Sequence, residues 1–122
     1  MANDFKRFVK KDIGTGEGAS GSTVYTVPSS SSTAMESIVI GITIANKSTS
    51  GITCDVFLDA LGGASDDVYI VKDASIPAGS SLEVMSGNKL VLQGDGTNND
   101  ILKMTSSTAS AADGIVSVLE DV

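Results

Sequence analysis

The chain has no histidine and no tryptophan, and only one cysteine, two prolines and five aromatic residues in 122. Each scarcity excludes something. Without histidine the commonest general base, the serine-type triad and most zinc sites are gone. A single thiol, Cys54, can form neither an internal disulfide nor a C-x-x-C pair. It lies in the alternating run Ile52-Thr53-Cys54-Asp55-Val56-Phe57-Leu58, in phase with Ile52, Val56 and Leu58. That is the position of a small buried side chain rather than a nucleophile. Only Tyr25, Phe57 and Tyr69 bring rings to the region beyond the first segment, which weakens a sugar-binding reading without excluding it, since sugars stack on aromatic platforms. No apolar run reaches the length of a membrane-spanning helix. The opening Met1-Ala2-Asn3-Asp4-Phe5-Lys6 has no apolar stretch of the secretory kind, so synthesis in a cytoplasm is expected.

Basic charge is scarce and unevenly placed. Residues 1–12 carry four basic and two acidic groups, leaving four basic and 13 acidic groups for the rest, within a net charge of −7. So acidic a body repels phosphate and anionic lipid, which argues against nucleic-acid and membrane partners. With 41% hydrophobic and 19% charged residues the composition is that of one folded domain, its core thin and aliphatic.

What is present is strand patterning. Isoleucine occupies 38, 40, 42 and 44 in Glu36-Ser37-Ile38-Val39-Ile40-Gly41-Ile42-Thr43-Ile44-Ala45, a strict period of two that predicts four side chains on one core face. Further strands are expected over Ser22 to Val27, Ile52 to Leu58, Asp67 to Lys72 (with Val68 and Ile70 on one face), Ser81 to Met85, Lys89 to Gln93, Asp100 to Thr105 and Gly114 to Glu120. Turn clusters separate them. Asn46 to Gly51 is short enough to join its flanking strands as a hairpin. Ile76-Pro77-Ala78-Gly79 suits a type I turn. The expected fold is all-β: a single antiparallel β-sandwich, jelly-roll-like or Ig-like, of about nine short strands.

The first segment reads differently. Phe5, Phe8, Val9 and Ile13 fit either a helical face or an extended arm, and Gly14 to Gly21 holds four glycines in eight residues. Residues 1–21 are therefore expected to be an arm and flexible tether, and 22–122 the sandwich. Phe5, Lys6, Arg7, Phe8, Lys10 and Lys11 are the expected partner-binding residues, two rings to bury and four cations to meet an acidic neighbour. Gly14-Thr15-Gly16-Glu17-Gly18-Ala19 follows no strand and opens no helix, so it is no dinucleotide loop. Asp95-Gly96-Thr97-Asn98-Asn99-Asp100 offers alternating oxygens. It fails the EF-hand spacing, and a hairpin loop explains the same residues. No catalytic residue, metal ligand or cofactor site is expected.

Several stretches together carry a resemblance. They are Phe5-Lys6-Arg7-Phe8-Val9, Ile40-Gly41-Ile42-Thr43-Ile44-Ala45-Asn46, Ile76-Pro77-Ala78-Gly79-Ser80-Ser81-Leu82-Glu83-Val84, Gly87-Asn88-Lys89-Leu90-Val91-Leu92 and Val116-Ser117-Val118-Leu119-Glu120. In this order the chain resembles small virion structural proteins of tailed bacteriophages, especially those infecting marine cyanobacteria. The resemblance implies a virion component without enzyme activity. Its partners would be other virion proteins, such as the major capsid protein or a neck or tail protein, together with copies of itself. A capsid decoration or head–neck subunit is the first expectation. A tail, collar or fibre-associated subunit is the second, and a receptor- or glycan-binding module is the alternative of another class.

Overall fold

The structure, a computed structural model, describes residues 3–28, 35–61, 63–85 and 89–121. The elements described are nine strands, β1 (Asn3–Lys10), β2 (Ser22–Thr26), β3 (Met35–Asn46), β4 (Ile52–Asp59), β5 (Val68–Ile76), β6 (Ser81–Glu83), β7 (Leu90–Gly94), β8 (Ile101–Ser106) and β9 (Ala112–Asp121), with 3₁₀ turns at Gly18–Ser20 and Ala64–Asp66. All strand pairing is antiparallel. The serine loop at 29–34 and the turn at 86–88 lie outside the described residues.

The pairings nest. β4 pairs with β5, β3 with β6 and β7, β2 with β8, and β1 with β9. β6 and β7 follow one another along the same edge of β3, β6 against residues 43–45 and β7 against residues 35–39. Together they act as one interrupted strand. The chain is thus a long antiparallel ribbon folded over on itself, giving sheets ordered β1-β9-β3-β6/β7 and β2-β8-β4-β5. That is the arrangement of a jelly roll. Aliphatic side chains from both sheets fill the space between them. Val39, Ile42, Ile44, Val116 and Val118 face Val56, Leu102 and Met104, all fully buried.

Several expectations are corrected by this fold. Residues 3–10 are no detached arm: the full length of β1 pairs with β9, from Asn3↔Asp121 to Lys10↔Gly114. Ile13 is completely buried in the common core, so among the described residues no break in packing sets the expected arm and tether, 1–21, apart from the expected sandwich, 22–122. Nor are Gly14 to Gly21 a slack tether. Ser106 N–H donates to Gly14 O (3.0 Å), the Thr105 hydroxyl donates to Gly16 O, and Lys103 Nζ donates to Ala19 O (2.7 Å). Gly16 is there for closeness and Gly18 for its φ of 55. A Cβ on Gly16 would stand 2.2 Å from the Ser20 carbonyl oxygen.

The isoleucine ladder is split. A β-bulge between Val39 and Gly41 inserts Ile40 as an extra residue, and one extra residue reverses the phase. Ile42 and Ile44 are fully buried as expected, but Val39 replaces Ile38 and Ile40 in the core, and Ile40 is 41% exposed. β3 and β4 do not form a hairpin, because they belong to different sheets. The Asn46–Gly51 corner is a crossover, fastened by the buried Asn46. Its Nδ2 donates to the carbonyls of Ser50 (2.8 Å) and Ile76 (3.0 Å), and its Oδ1 accepts from Ser48 N–H (2.9 Å). β5 runs on past Lys72 through a bulge with Asp73 at φ 53. Val68 on this strand is exposed and Ile70 half-buried. The turn after it is offset by one residue. Ser80 N–H donates to Pro77 O (3.1 Å) and Gly79, at φ 69, takes the third position, as a type II turn requires.

Candidate interaction surface

The solvent face of the five-stranded sheet is built by the residues that alternate with the core. On β1, Lys6 and Phe8 turn inward, so Phe5, Arg7 and Val9 turn out. Backbone register then assembles rows across the strands. Phe5 pairs with Leu119, Leu119 with Ile38, and Ile38 with Val91, making one apolar row across β1, β9, β3 and β7. Two positions along, Arg7, Ser117 and Gly41 form a middle row, with the bulged Ile40 beside it. Val9, Ile115, Thr43 and Glu83 form the third. Phe5 (75% exposed), Val9, Ile40, Val91 and Ile115 are five of the seven large hydrophobic residues that the described surface exposes. They gather on one face. Contiguous apolar area of this kind marks a contact surface, whereas scattered exposed side chains do not.

The six residues expected to bind a partner divide between two roles. Phe5 and Arg7 lie on this bare face. Phe8 packs on the Tyr25 ring, centroids 4.6 Å apart, as part of the chain's own core. Lys6 Nζ stands 2.9 Å from Oε1 of the buried Glu120, whose other oxygen accepts from the Tyr25 hydroxyl at 2.6 Å. Beyond that ion pair Oε1 takes no hydrogen bond. The Glu120 carboxylate raises the Lys6 pKa, and burial, reinforced by the hydrogen bond to Glu120, raises that of Tyr25. Lys10 is half-buried and Lys11 exposed at the end of the strand. Beyond β9, β1 has no neighbour among the described residues. It is the open edge of its sheet, carrying the inward-pointing Lys6 that natural edge strands use to discourage indiscriminate pairing.

The other outer face is covered. Gly14 to Gly21 lie over β4 and β8, and Asp55, Phe57 and Thr105 are buried beneath them. Asp55 accepts from Asp73 N–H at 2.7 Å and pairs with Lys72 at 3.5 Å, so both its oxygens are engaged. Lys72 also meets Glu17 and Asp73, which raise its pKa. Tyr69 meets the Phe57 ring edge-on and takes the Lys72 ammonium over its own ring. An open recess of about 270 Å³ beside Glu17, Asp55 and Asp73 is lined mainly by these engaged groups and by hydroxyls. Asp66 and Asp67 lie apart from it, Asp67 accepting from Ala60 N–H at 2.7 Å.

The 95–100 loop spends its oxygens internally. Asp95 Oδ1 accepts from Thr97 and Asn98 N–H, and Asp100 accepts from Leu61 and Gln93 N–H through its two oxygens. Among the described residues no group of three or more histidine, cysteine or acidic side chains is gathered that could hold a metal. Cys54 is buried, and burial pushes its thiol up to about 11. No helix among the described residues is long and apolar enough to cross a membrane.

The sequence reading missed the bare face, though β9 carries a signal for it. Val116 and Val118 occupy one phase of that strand and Ile115 and Leu119 the other. A strand apolar on both sides is one that is covered on both sides. No family model, no curated protein and no solved structure matches the chain.

Proposed function

We propose that this chain is a structural protein of a tailed-phage virion, a non-enzymatic jelly-roll subunit that packs against other protein chains through the bare face of its five-stranded sheet. The carrying observation is that face: Phe5, Val9, Ile40, Val91 and Ile115 exposed together on a rigid sheet. The strand and turn stretches that resemble phage virion proteins supply the biological setting, and the fold class suits it, since jelly rolls build many capsid shells. Fold alone assigns no activity, so the face and not the fold bears the argument. In this reading a capsid decoration or head–neck position comes first and a tail or collar position second. The chain is made in the host cytoplasm and ends in the particle, needing no cofactor and contacting neither nucleic acid nor membrane.

Quantitative mass spectrometry of gradient-purified particles tests the reading. A copy number on the order of hundreds places the chain on the head lattice, and a small multiple set by axial symmetry places it at the neck or tail. Absence of the chain from purified particles overturns the proposal.

A further inference from the structure

Among the described residues, three of the four sheet edges are blunted. β2 pairs with β8 over five residues through a bulge between Thr23 and Tyr25, and β5 follows β4 through two register shifts, with Asp73 at φ 53. The outer edge of β3 is taken by β6 and β7, two separate pieces of three and five residues. Bulges and short strands are the devices by which sheets keep foreign strands from adding to an edge. β1 has neither. Its eight residues run in unbroken register with β9, and every second one turns its backbone N–H and C=O groups away from β9. No described strand takes those groups. The one guard that β1 carries, Lys6, is drawn onto the buried Glu120.

We infer that β1 is a strand-addition site, taking an extended segment of another protein chain, acidic and apolar by turns, as the next strand of the five-stranded sheet. The inference rests on the reading of the adjoining bare face as a docking surface and names the segment that docks beside it. Backbone hydrogen bonds hold such a segment, and the side chains of β1 select it. Phe5 and Val9, both exposed on the face, are matched by apolar residues opposite them. Arg7 stands between the two on the same side, exposed, and Lys10 is half-buried on the other side, in phase with Lys6 and Phe8. Neither Arg7 nor Lys10 makes an ion pair among the described residues. Directly opposed side chains in a sheet start about 5 Å apart, within reach of a carboxylate. In the antiparallel sense the fitting segment reads acidic, apolar, any, acidic, small polar, apolar, opposite Lys10, Val9, Phe8, Arg7, Lys6 and Phe5 in turn. A second copy of β1 does not fit. Residues 3–11 hold four basic groups and one acidic group, so two such edges repel one another.

Titration of the full-length chain with synthetic peptides, followed by amide NMR shifts and hydrogen exchange, is the test. The first probe is a capped peptide of about eight residues, the reach of β1, with valine at the apolar positions, glutamate at the acidic ones and threonine elsewhere. It should shift and protect the amides of β1 at up to millimolar concentration and leave those of β5 unchanged. A counterpart with lysine in place of glutamate should bind at least about tenfold more weakly, because opposed like charges destabilise a strand pair. Arg7→Glu should remove most of that preference, with circular dichroism unchanged. N-methylation of the peptide at alternate residues should abolish binding in one phase and spare it in the other, since only one phase faces the edge. No shift along β1 at millimolar peptide overturns the inference, as does equal binding of the two peptides or indifference to the phase of methylation. The proposed function fails separately. A chain that is present in purified particles but shows no β1 response keeps that function and lacks the strand site, whereas one absent from particles loses the function whatever the peptides do.

Discussion

The two outer faces of this sandwich receive opposite treatment from one chain. Over the four-stranded sheet, residues 14–21 form a cover, hydrogen-bonded to β8 and joined to β5 through Glu17 and Lys72, and they bury polar groups such as Asp55 and Thr105 along with Phe57. Over the five-stranded sheet nothing is laid among the described residues, although that face is the more apolar. A chain that covers its polar face internally and leaves its apolar face open suits the proposed role as a subunit. Exposed aliphatic area is stabilised only when a second surface removes it from water.

The largest test of this contrast lies inside β3. Ile42 is fully buried and Ile40, two residues earlier in the same ladder, faces out. Ile42→Ala should cost about 2–5 kcal/mol in urea denaturation of the isolated chain, through lost burial and the cavity left behind. Ile40→Ala should stay within roughly 0.5 kcal/mol, as surface changes do. Equal losses at the two positions would mean that the bulge is misplaced and that both residues share the core.

A smaller effect separates the faces through their glycines. Gly16 lies in the cover, where a Cβ would meet the Ser20 carbonyl oxygen at 2.2 Å, whereas nothing stands within 4 Å of a Cβ on Gly41 of the bare face. Gly16→Ala should lower stability by about 1–3 kcal/mol, the usual range for overpacking. Gly41→Ala should be neutral or slightly stabilising, because glycine weakens a strand interior. Thermal melts of both variants decide it. A neutral Gly16→Ala would show that the cover is loosely held and that the contrast between the faces is weaker than drawn.

The contrast itself was only half legible in the sequence. Period-two patterning located eight of the nine strands, because Val, Ile and Leu at alternate positions leave little choice. The buried phase of Cys54 was legible for the same reason. Three things were not. The bulge at Ile40 is a backbone event with no composition of its own, and it moves two isoleucines of the ladder outward. The crossover at Asn46–Gly51 has a hairpin's length and residues, and its identity rests on Asn46 reaching the carbonyl of Ile76, thirty residues away. The first segment was ambiguous because a β1-type edge strand, carrying apolar and basic side chains on both of its sides, has the composition of a docking arm. Only its register with β9 separates the two, and registers between chain ends are not local information.

The smallest effect concerns the corner where β1 hands over to the cover. Asp12, at φ 56, donates its backbone N–H to Asp113 Oδ1 at 2.9 Å, and Lys47 Nζ pairs with Asp113 at 3.0 Å and with the Asp12 carboxylate. The Asp12 amide is the main cause that holds the Asp113 carboxyl below its ordinary value, and Lys47 adds to it. A depressed folded-state pKa contributes stability that is present above the unfolded value of 3.8 and is lost as pH falls through the folded one. Acidification from pH 5 should therefore destabilise the chain in part through this corner. Asp113→Asn should cost at most a few degrees of melting temperature at neutral pH, since exposed pairs contribute little, and should flatten the acid limb below about pH 4. Concentrated salt should shrink the difference from wild type by screening Lys47, leaving the Asp12 hydrogen bond. An Asp113→Asn variant with the parent's acid profile would show that the corner does not fasten β1 and the cover together, and that the closed face owes its order to the glycine contacts alone.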